Sequence, residues 1–331
     1  MITAVTGASG HVGANLVRAL LNQGRRVRAL VHRDTRAFEG LEIEQVESDL
    51  LKPESLKNAF RGAGVVYHLA ALITVSKRES RLLRALNVEG VKNVIEACLS
   101  CGVRRLVHFS SIHSFSHVPE DEAIDETRAL VGPGEGLAYD RTKAESESLL
   151  LRAVKTGLDA VILNPTAIIG PYDYKPSYMG RFLLALYAGR IPTLVDGGFN
   201  WVDVGDVVRG AISAETLGRS GERYILPGQW LSIRDLARIA ERVSGRKMPK
   251  TVCPMGLARI GAPFVAALSR VIGGEPLYTS GSLYTLRHHR YVSHEKAARV
   301  LGYQPRPIEE TLRDTFEWFV QNGYIGSGKA G

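Results

Sequence analysis

A strand, a glycine loop and a helix open the chain, and this order most constrains how the rest can fold. Ile2–Thr6 is apolar and β-branched, which predicts a strand. The loop Thr6–Gly13 reads TGASGHVG, with a glycine at every third position from Gly7. The apolar spacing over residues 12–21 predicts a helix directly after the loop. This order is the setting of a dinucleotide-binding turn, in which the positive helix N-terminus faces the phosphates.

The three glycines of this loop have separate expected roles. Gly7 would permit a tight turn, Gly10 would let a pyrophosphate approach the backbone, and Gly13 would let the helix pack closely on the strand. The spacing is GxxGxxG, not the GxGxxG of common dehydrogenases, and a purely structural glycine turn is the alternative. The residues of the loop that we expect to contact a cofactor are Gly7, Ser9, Gly10, His11, Val12 and Gly13.

Short apolar runs and amphipathic stretches alternate through the first half of the chain. Further strands are expected at residues 27–31, 43–47, 65–69, 106–110 and 160–163, with helices at 53–60, 82–99 and 138–155. Such alternation predicts an α/β fold, a Rossmann-type doubly wound parallel sheet. Right-handed crossovers place the carboxyl ends of all strands on one edge, where ligands of open α/β sheets bind.

The regular alternation fails after Asn164-Pro165, which predicts a smaller, mostly helical C-terminal substrate lobe. Helices are expected near residues 181–188 and 232–244, whereas residues 202–208 and 224–226 look like strands returning to the sheet. The expected division is residues 1–165 for the cofactor domain, with returning segments at about 200–228 and 291–306. A discontinuous substrate lobe would occupy the remainder of 166–331.

The end of the second strand selects between the two nicotinamide cofactors. An acid there binds the ribose 2′-hydroxyl, whereas a base accepts the 2′-phosphate. His32 and Arg33 come first and would pair with a phosphate, so NADP(H) is the preferred cofactor. Asp34 follows directly and keeps NAD(H) as the alternative.

Two further strand ends carry expected cofactor contacts. Asp49 and Leu50 close the third strand, where the carboxylate would accept a hydrogen bond from the adenine amino group. Leu69, Ala70 and Ala71 close the fourth strand with small residues that would let the cofactor lie flat. Ordinary packing is the alternative for both groups.

Tyr139 and Lys143 lie four residues apart at the start of a predicted helix and therefore share one face. A free tyrosine has a pKa near 10, so it is a poor acid at neutral pH. We expect the neighbouring ammonium to lower that pKa and make proton transfer to a carbonyl oxygen practical. Ser111, at the end of the fifth strand, would hold the same oxygen, unless its hydroxyl only bonds its own backbone.

Composition excludes several classes of protein. Among 331 residues, 42 Lys and Arg against 34 Asp and Glu give a net charge of +8, but the excess is dispersed, so no nucleic-acid partner is expected. Three cysteines are too few for a disulfide framework and fit the reducing cytoplasm. The apolar stretch at residues 260–269 is too short to span a membrane. Because no cysteine or histidine pair completes a zinc site beside Cys98 and Cys101, no metal is predicted.

Several motifs occur in the order of one known family. They are TGASGHVG at residues 6–13, NVEG at 87–90, FSS at 109–111, YDRTK at 139–143, NPT at 164–166, WVDVGDV at 201–207 and LGYQP at 301–305. With them the chain resembles the extended short-chain dehydrogenase/reductases of the NAD-dependent epimerase/dehydratase superfamily. Within these it looks most like the dihydroflavonol-4-reductase and 3β-hydroxysteroid dehydrogenase branch, including bacterial proteins labelled dihydroflavonol reductase-like or hopanoid-associated sugar epimerase.

The resemblance implies roles for individual residues. Tyr139 would be the catalytic acid and base, Lys143 would hold the nicotinamide ribose, and Ser111 would orient the substrate oxygen. Asn87 falls on the family's Asn-x-x-Gly position, either as a helix-stabilising amide or as a member of a proton relay. Pro165 would also lie at the cofactor. The resemblance further implies a homodimer formed through a helix bundle.

Two kinds of enzyme fit these residues. The first is an NAD(P)H-dependent reductase of a small-molecule ketone or aldehyde, and the alternative is a nucleotide-sugar epimerase that keeps NAD bound. Sugar dehydratases of this family place an Asp-Glu pair after the catalytic hydroxyl, where this chain has Ile112 and His113. Epimerases often carry Arg where this chain has Asn164. Both departures favour the reductase, and the presence of Tyr139 and Lys143 argues against an inactive cofactor sensor.

The substrate contacts fall in the least regular part of the sequence. Candidates are His113, Tyr172, Tyr174 and Tyr178, from loops expected above the sheet. Surface exposure or packing between the lobes is the alternative for each. Tyrosine and aliphatic side chains with little fixed charge favour an uncharged, partly apolar ketone.

Overall fold

A seven-stranded parallel sheet forms the centre of the computed structural model, which describes residues 1–32, 34–262 and 279–325. Its strands are β1 Ile2–Thr6, β2 Arg26–Val31, β3 Glu44–Glu47, β4 Ala63–His68, β5 Arg105–Phe109, β6 Ala160–Pro165 and β10 Arg223–Leu226. The spatial order is β3-β2-β1-β4-β5-β6-β10, and every neighbouring pair is parallel. The order reverses between β1 and β4, as in a doubly wound sheet. The predicted Rossmann-type fold is confirmed.

Helices cover both faces of this sheet because successive strand residues point to opposite faces. The named helices are α1 His11–Asn22, α2 Pro53–Phe60, α3 Arg81–Arg84, α4 Gly90–Ser100, α5 Ala138–Lys155, α6 Tyr178–Tyr187, α7 Val204–Leu217, α8 Ile233–Ser244, α9 Ser280–Thr285, α10 Glu295–Leu301 and α11 Ile308–Gln321. Val5, Val65 and Val107 pack on the face that carries α1, α7 and α10. Their neighbours Ala4 and Val66 pack on the face of α2, α4 and α5.

The long helix expected at residues 82–99 is interrupted by a wider turn. It runs as α3, then a π-helical segment at Ala85–Glu89, and then α4. Asn87 lies in the wide turn, and its side chain exchanges hydrogen bonds with the backbone of Leu72 at 2.8 and 2.9 Å. The helix is therefore confirmed, whereas its π segment left no signal in the apolar spacing.

A second, smaller body of structure follows β6. It contains a three-stranded sheet of β7 Ala167–Ile169, β9 Gly198–Asp203 and β11 Gln229–Ser232, and a pair formed by β8 Leu194–Val195 and β12 Val252–Cys253. Helices α6, α8 and α11 pack around these strands in a separate apolar cluster. The helical C-terminal region is confirmed, although the two small sheets were not expected.

The expected strand at residues 202–208 is wrong. β9 ends at Asp203 and pairs with β7 and β11, not with the central sheet. Asp203 Oδ1 accepts hydrogen bonds from Gly205 N at 2.7 Å and Asp206 N at 3.2 Å, so it starts α7 as an N-cap. The β-branched residues that suggested a strand, Val204, Val207 and Val208, are the buried face of that helix. The other expected return is confirmed, because residues 224–226 lie in β10.

Three late segments pack back on the central sheet. Val207 of α7, Tyr224 of β10 and Leu301 of α10 belong to the same apolar cluster as β1 and α1. These contacts support the division into residues 1–165, with returning segments, and a discontinuous 166–331 lobe, which we keep as a proposal. Across the described ranges no helix has the length and apolarity to cross a bilayer. Only residues 260–262 of the apolar stretch 260–269 lie in the described part.

The glycine loop is packed so tightly that side chains do not fit at two of its positions. Gly7 has φ +66°, and a Cβ there would lie 2.7 Å from the nitrogen of Ala70 at the end of β4. A Cβ on Gly13 would overlap the carbonyl oxygen of Gly7 and lie 2.7 Å from the Cα of Ala8. Both positions therefore require glycine, as the spacing predicted.

We expect Gly13→Ala to lower the free energy of unfolding by about 1–3 kcal/mol, because the added methyl group forces the loop backbone apart. Gly256→Ala is the matched control, since a Cβ there meets no atom within 4 Å. Urea denaturation of both variants measures the difference. Equal stability of the two variants would contradict the close packing at Gly13.

Candidate active site

A cavity of about 370 Å³ lies at the carboxyl edge of the central sheet. We call it the central cavity. It begins at the glycine loop, passes the ends of β4, β5 and β6, and continues to the smaller body of structure. Of the residues predicted for the site, its wall contains Gly7, Gly10, His11, Val12, Gly13, Leu69, Ala71, Ser111, His113, Tyr139, Lys143, Pro165 and Tyr178. One continuous space therefore joins the loop to the Tyr–Lys pair.

Hydrogen bonds hold the glycine loop against the end of β4. Thr6 Oγ1 lies 2.7 Å from His68 Nδ1 and accepts a hydrogen bond from Leu69 N at 3.2 Å. On the other side, His11 Nε2 lies 3.1 Å from the carbonyl oxygens of Gly170 and Pro171. The first turn of α1 leaves backbone N–H groups without helical partners beside this fixed loop. These residues fit the pyrophosphate of a dinucleotide.

Tyr139 and Lys143 lie on the buried face of α5, as their spacing predicted. The two residues are 8% and 4% exposed. Lys143 Nζ donates a hydrogen bond of 2.8 Å to the carbonyl oxygen of Phe109, at the end of β5. It lies 5.9 Å from the centre of the Tyr139 ring. Burial lowers the pKa of Lys143 to about 8, against a small opposing effect of Glu147.

The expected lowering of the Tyr139 pKa by Lys143 is wrong in this structure. Burial raises the pKa of Tyr139 above its usual value; the neighbouring Ser111 hydroxyl acts in the opposite direction, and the Asp140 carboxylate raises the pKa further. The ammonium of Lys143 is bound to Phe109 O and not directed at the phenol oxygen. The Tyr139 hydroxyl therefore keeps its proton at neutral pH, which suits a proton donor.

Ser111 bonds nearby backbone, which is one of the two roles that the sequence left open. Its Oγ accepts a hydrogen bond from His113 N at 3.2 Å, so it caps the short helical turn Ile112–Ser114. Ser111 also lies beside Tyr139, where its hydroxyl opposes the rise of the Tyr139 pKa. Both residues line the central cavity, and their contact with a substrate oxygen stays a prediction.

A buried amide and a buried carboxyl support this arrangement from below. Asn164 Nδ2 lies 2.6 Å from Glu147 Oε1 and 3.1 Å from both Ser114 Oγ and Ser111 O. Glu147 is one helical turn beyond Lys143 and has no exposed surface. Burial raises its pKa, while the nearby hydroxyls of Ser110 and Ser114 act in the opposite direction. Asn164 thus fixes the backbone of Ser111 at the end of β5.

Several predicted residues do not reach the central cavity. Asn87 is buried outside the cavity wall, and its amide also lies 3.1 Å from Thr142 Oγ1, which favours the helix-stabilising role. Asp49 Oδ1 accepts a hydrogen bond from Leu51 N at 2.9 Å, and Leu50 lies against Gly90. Ser9, His32 and Ala70 also lie outside the cavity wall, and Arg33 lies outside the described residues. Contacts of this group with a cofactor stay predictions.

The expectation that Tyr172 and Tyr174 line the substrate pocket is corrected by their packing. The Arg18 guanidinium carbon lies 4.5 Å from the Tyr172 ring centre and 5.3 Å from that of Tyr174. Arg18 also donates a hydrogen bond of 2.8 Å to Tyr174 Oη. Both tyrosines contact Trp318 of α11. They join α1 to the smaller body because the aromatic rings pack on that guanidinium.

A polar group beside Tyr139 was not predicted from the sequence. Asp140, His288 and His289 line the central cavity together with His113, and His117 lies directly behind them. The signal was weak: Asp140 follows the catalytic tyrosine candidate, and the histidines occur as His113/His117 and His288-His289. More than 170 residues separate the two groups, so no local spacing relates them.

A dinucleotide cradle, a Tyr–Lys pair and a serine on one cavity define a nicotinamide-dependent oxidoreductase of the Rossmann type. The model of the NAD dependent epimerase/dehydratase family matches residues 3–226. The chain belongs to this family, and its resemblance to the extended short-chain dehydrogenase/reductases is confirmed.

Similar proteins span the whole chain. Sterol demethylase protein B of Methylococcus capsulatus is 35% identical and covers 98% of this chain and 100% of its own length. A provisional dihydroflavonol 4-reductase of a Synechocystis strain is 31% identical and covers 97% of this chain and 95% of its own length. The crystal structure of the protein gox2253 superposes with a TM-score of 0.85 at 32% identity. The match covers 98% of this chain and 99% of gox2253. The fold and the family are therefore shared along the full chain.

Lys143→Met should raise the free energy of unfolding of the protein at pH 7, because it removes a buried ammonium. Burial shifts the pKa of Lys143 from 10.5 to about 8, so the native state bears a cost of roughly 3 kcal/mol below pH 8. This cost disappears as the pH rises from about 8 to 10.5, because the native state then loses its proton while the unfolded state keeps it. We expect the stability difference between variant and wild type to fall to about half by pH 9.5.

Chemical denaturation at several pH values measures this difference. Lys155→Met is the matched control, since Lys155 lies at the exposed end of the same helix. A stability difference for Lys143→Met that does not narrow between pH 7 and 9.5 would contradict the burial of a charged amine.

Proposed function

We propose that this protein is an NADPH-dependent reductase of a ketone or aldehyde, with Tyr139 as the proton donor. The observation that carries the proposal is the continuity of the central cavity from the glycine loop to Tyr139, Ser111 and Lys143. A cofactor held at the loop and a substrate held at the tyrosine would then meet in one space. The family of oxidoreductases to which the chain belongs supports the same chemistry.

The protein's own residues would bind the cofactor, orient the substrate carbonyl and donate a proton to its oxygen. A bound nicotinamide cofactor supplies the hydride for the carbonyl carbon. Gly7, Gly10 and the first turn of α1 would hold its pyrophosphate, and Lys143 its ribose. Ser111 would donate a hydrogen bond to the carbonyl oxygen as charge develops there. Tyr139 would transfer its hydroxyl proton to that oxygen, which completes the alcohol.

The protonation state of Tyr139 favours the reductive direction. Because burial raises the pKa of this phenol, its proton is present at neutral pH and available for donation. Oxidation of an alcohol would instead need the phenolate as a base. The buried site would supply that form only at higher pH.

The substrate end of the central cavity is mainly apolar. Its wall includes Ile73, Val75, Leu137, Met179 and Phe199. Such a surface suits an uncharged, partly apolar carbonyl compound. The name of the sterol demethylase relative refers to a large apolar molecule, which agrees with this class. Tyr178 and His113 of the predicted substrate contacts remain in the proposal.

NADP(H) is the preferred cofactor of this proposal, and NAD(H) is the alternative. His32 directly follows β2 and is exposed. The acid that would favour NAD(H), Asp34, is already bound by Arg36 through contacts of 3.0 and 2.7 Å. This pairing leaves Asp34 less available for a ribose hydroxyl, because the guanidinium occupies both carboxylate oxygens.

Epimerisation is the second candidate, because the family's description includes epimerases. A nucleotide-sugar epimerase would use the same tyrosine but keep its NAD bound between turnovers. Ile112 and His113 stand where a dehydratase needs an acid and a base, so elimination of water lacks its groups. Asn164 stands where epimerases commonly have arginine. In this chain its amide nitrogen donates hydrogen bonds to Glu147 Oε1 and to the carbonyl oxygen of Ser111.

Tyr139→Phe should abolish NADPH oxidation with a panel of apolar ketones and aldehydes, because only the proton donor is lost. We expect the affinity for NADPH, measured by fluorescence titration, to change less than about threefold. Tyr291→Phe, at an exposed tyrosine, is the control. Unchanged turnover in Tyr139→Phe would refute its role. Wild-type protein that retains tightly bound NAD and oxidises no added NADPH would favour the epimerase.

Arg33→Ala should weaken the binding of NADPH by tenfold or more and the binding of NADH much less, because a phosphate contact is lost only with NADPH. Comparing the KM of both cofactors in variant and wild type measures this effect. Arg61→Ala, which removes an exposed arginine on the surface after α2, is the control. An equal rise in KM for NADH and NADPH would contradict a phosphate contact of Arg33, and Asp34 would then be the residue that selects the cofactor.

Two broader expectations remain proposals. The homodimer comes from the family resemblance. The cytoplasmic location comes from the cysteine count, and Cys98, Cys101 and Cys253 are free in the structure. Cys98 is buried in the apolar cluster under α4, and burial raises its pKa, which fits a packing role and not a redox pair.

A further inference from the structure

Four histidines from two distant segments meet at one end of the central cavity. His113 and His117 follow β5, whereas His288 and His289 follow α9. The ring centres of His113 and His289 are 4.7 Å apart, and those of His117 and His289 are 4.6 Å apart. One ring nitrogen of each of His113, His117 and His289 lies within 4.8 Å of the other two. We call these three residues the histidine cluster.

The nitrogens of this cluster lack hydrogen-bond partners within the described residues. Both ring nitrogens of His117, Nδ1 of His113 and Nε2 of His289 are buried and unpaired. Buried polar atoms are nearly always satisfied, because leaving one unpaired costs about 1–3 kcal/mol. Several unpaired nitrogens within one small volume indicate a ligand that would accept them together.

A carboxylate lies beside the histidine cluster. Asp140 is fully buried, and its Oδ2 accepts a hydrogen bond of 2.8 Å from Leu137 N. Its Oδ1 is unpaired and lies 3.4 Å from His113 Nδ1. Its Oδ2 lies 3.7 Å from His117 Nε2, which is too long for a hydrogen bond. The carboxylate therefore supplies a negative charge and one free oxygen next to the unpaired nitrogens.

We propose that His113, His117 and His289 bind a divalent transition-metal ion of the zinc type, with the Asp140 carboxylate beside the site as a counter-charge. Imidazole nitrogen is a preferred ligand of Zn²⁺, whereas Mg²⁺ and Ca²⁺ prefer oxygen. Three imidazoles with an open fourth position are a known tetrahedral donor set for zinc. Nitrogens bound to zinc at about 2.0–2.1 Å lie roughly 3.3 Å apart. The rings would therefore move together by about 1 Å.

The ion would join two sides of the central cavity. His113 belongs to the segment that leaves β5 beside Ser111, and His289 belongs to the segment after α9. The centre of the His113 ring lies 6.3 Å from that of Tyr139. Binding would thus fix the cavity wall next to the phenol. The inference does not depend on which carbonyl reaction the site performs.

The test uses the untagged full-length chain, stripped with a chelator and then dialysed against Zn²⁺ or Co²⁺. We expect about one zinc ion per chain by elemental analysis, and an intense visible absorption of tetrahedral Co²⁺. His117→Ala and His289→Ala should each weaken binding at least tenfold in a competition titration. His294→Ala, at an exposed histidine outside the cluster, is the matched control and should bind like the wild type.

A second pair of variants distinguishes the loss of a metal ligand from a loss of folding in the alanine variants. His117→Gln and His289→Gln keep a polar side chain of similar size, and their circular dichroism and Tm without metal report whether they fold. Zinc should raise the Tm of the wild type and of His294→Ala, but not that of the folded Gln variants. The proposal is overturned if the wild type retains neither ion, or if folded Gln variants bind zinc as tightly as His294→Ala. NADPH turnover is recorded separately, so failure of the proposed reductase activity leaves the metal result readable.

Discussion

Parallel pairing of the central strands is the constraint on which the site depends. β1, β4, β5 and β6 lie side by side in one direction, so their carboxyl ends meet at one edge. The glycine loop, the segment after β4, Ser111 and Pro165 leave the sheet at that edge. Residues scattered over the first half of the chain therefore share one cavity because of strand direction alone.

The site maintains polar groups where the core is otherwise apolar. Tyr139, Lys143 and Glu147 lie on one buried face of α5, and burial shifts the pKa of each toward its neutral form. Hydrogen bonds to Phe109 O and Asn164 offset part of that cost. Buried titratable side chains destabilise the fold but are useful for proton transfer. This trade-off between stability and activity is common in enzyme sites. The protein thus has a proton donor whose pKa is raised mainly by burial, with the Asp140 carboxylate acting in the same direction.

Local patterns predicted most of the central sheet and the main site residues. The loop TGASGHVG and the Tyr139–Lys143 spacing each depend on residues close in sequence, so they were readable without the fold. Residues 202–208 were misread because β-branched residues suit a strand, whereas Asp203 starts a helix by capping it. Tyr172 and Tyr174 were misplaced because their partners, Arg18 and Trp318, lie far away in the chain.

By itself, the sequence determined the strand–loop–helix opening, the alternating parallel architecture and the residues able to transfer a proton, because each is encoded within a few neighbouring positions. Only the tertiary structure decided the protonation state of Tyr139, the support that Asn164 and Glu147 give Ser111, and the meeting of His113 and His117 with His289. Burial and contact between distant segments control these features. Neither property exists until the chain has folded.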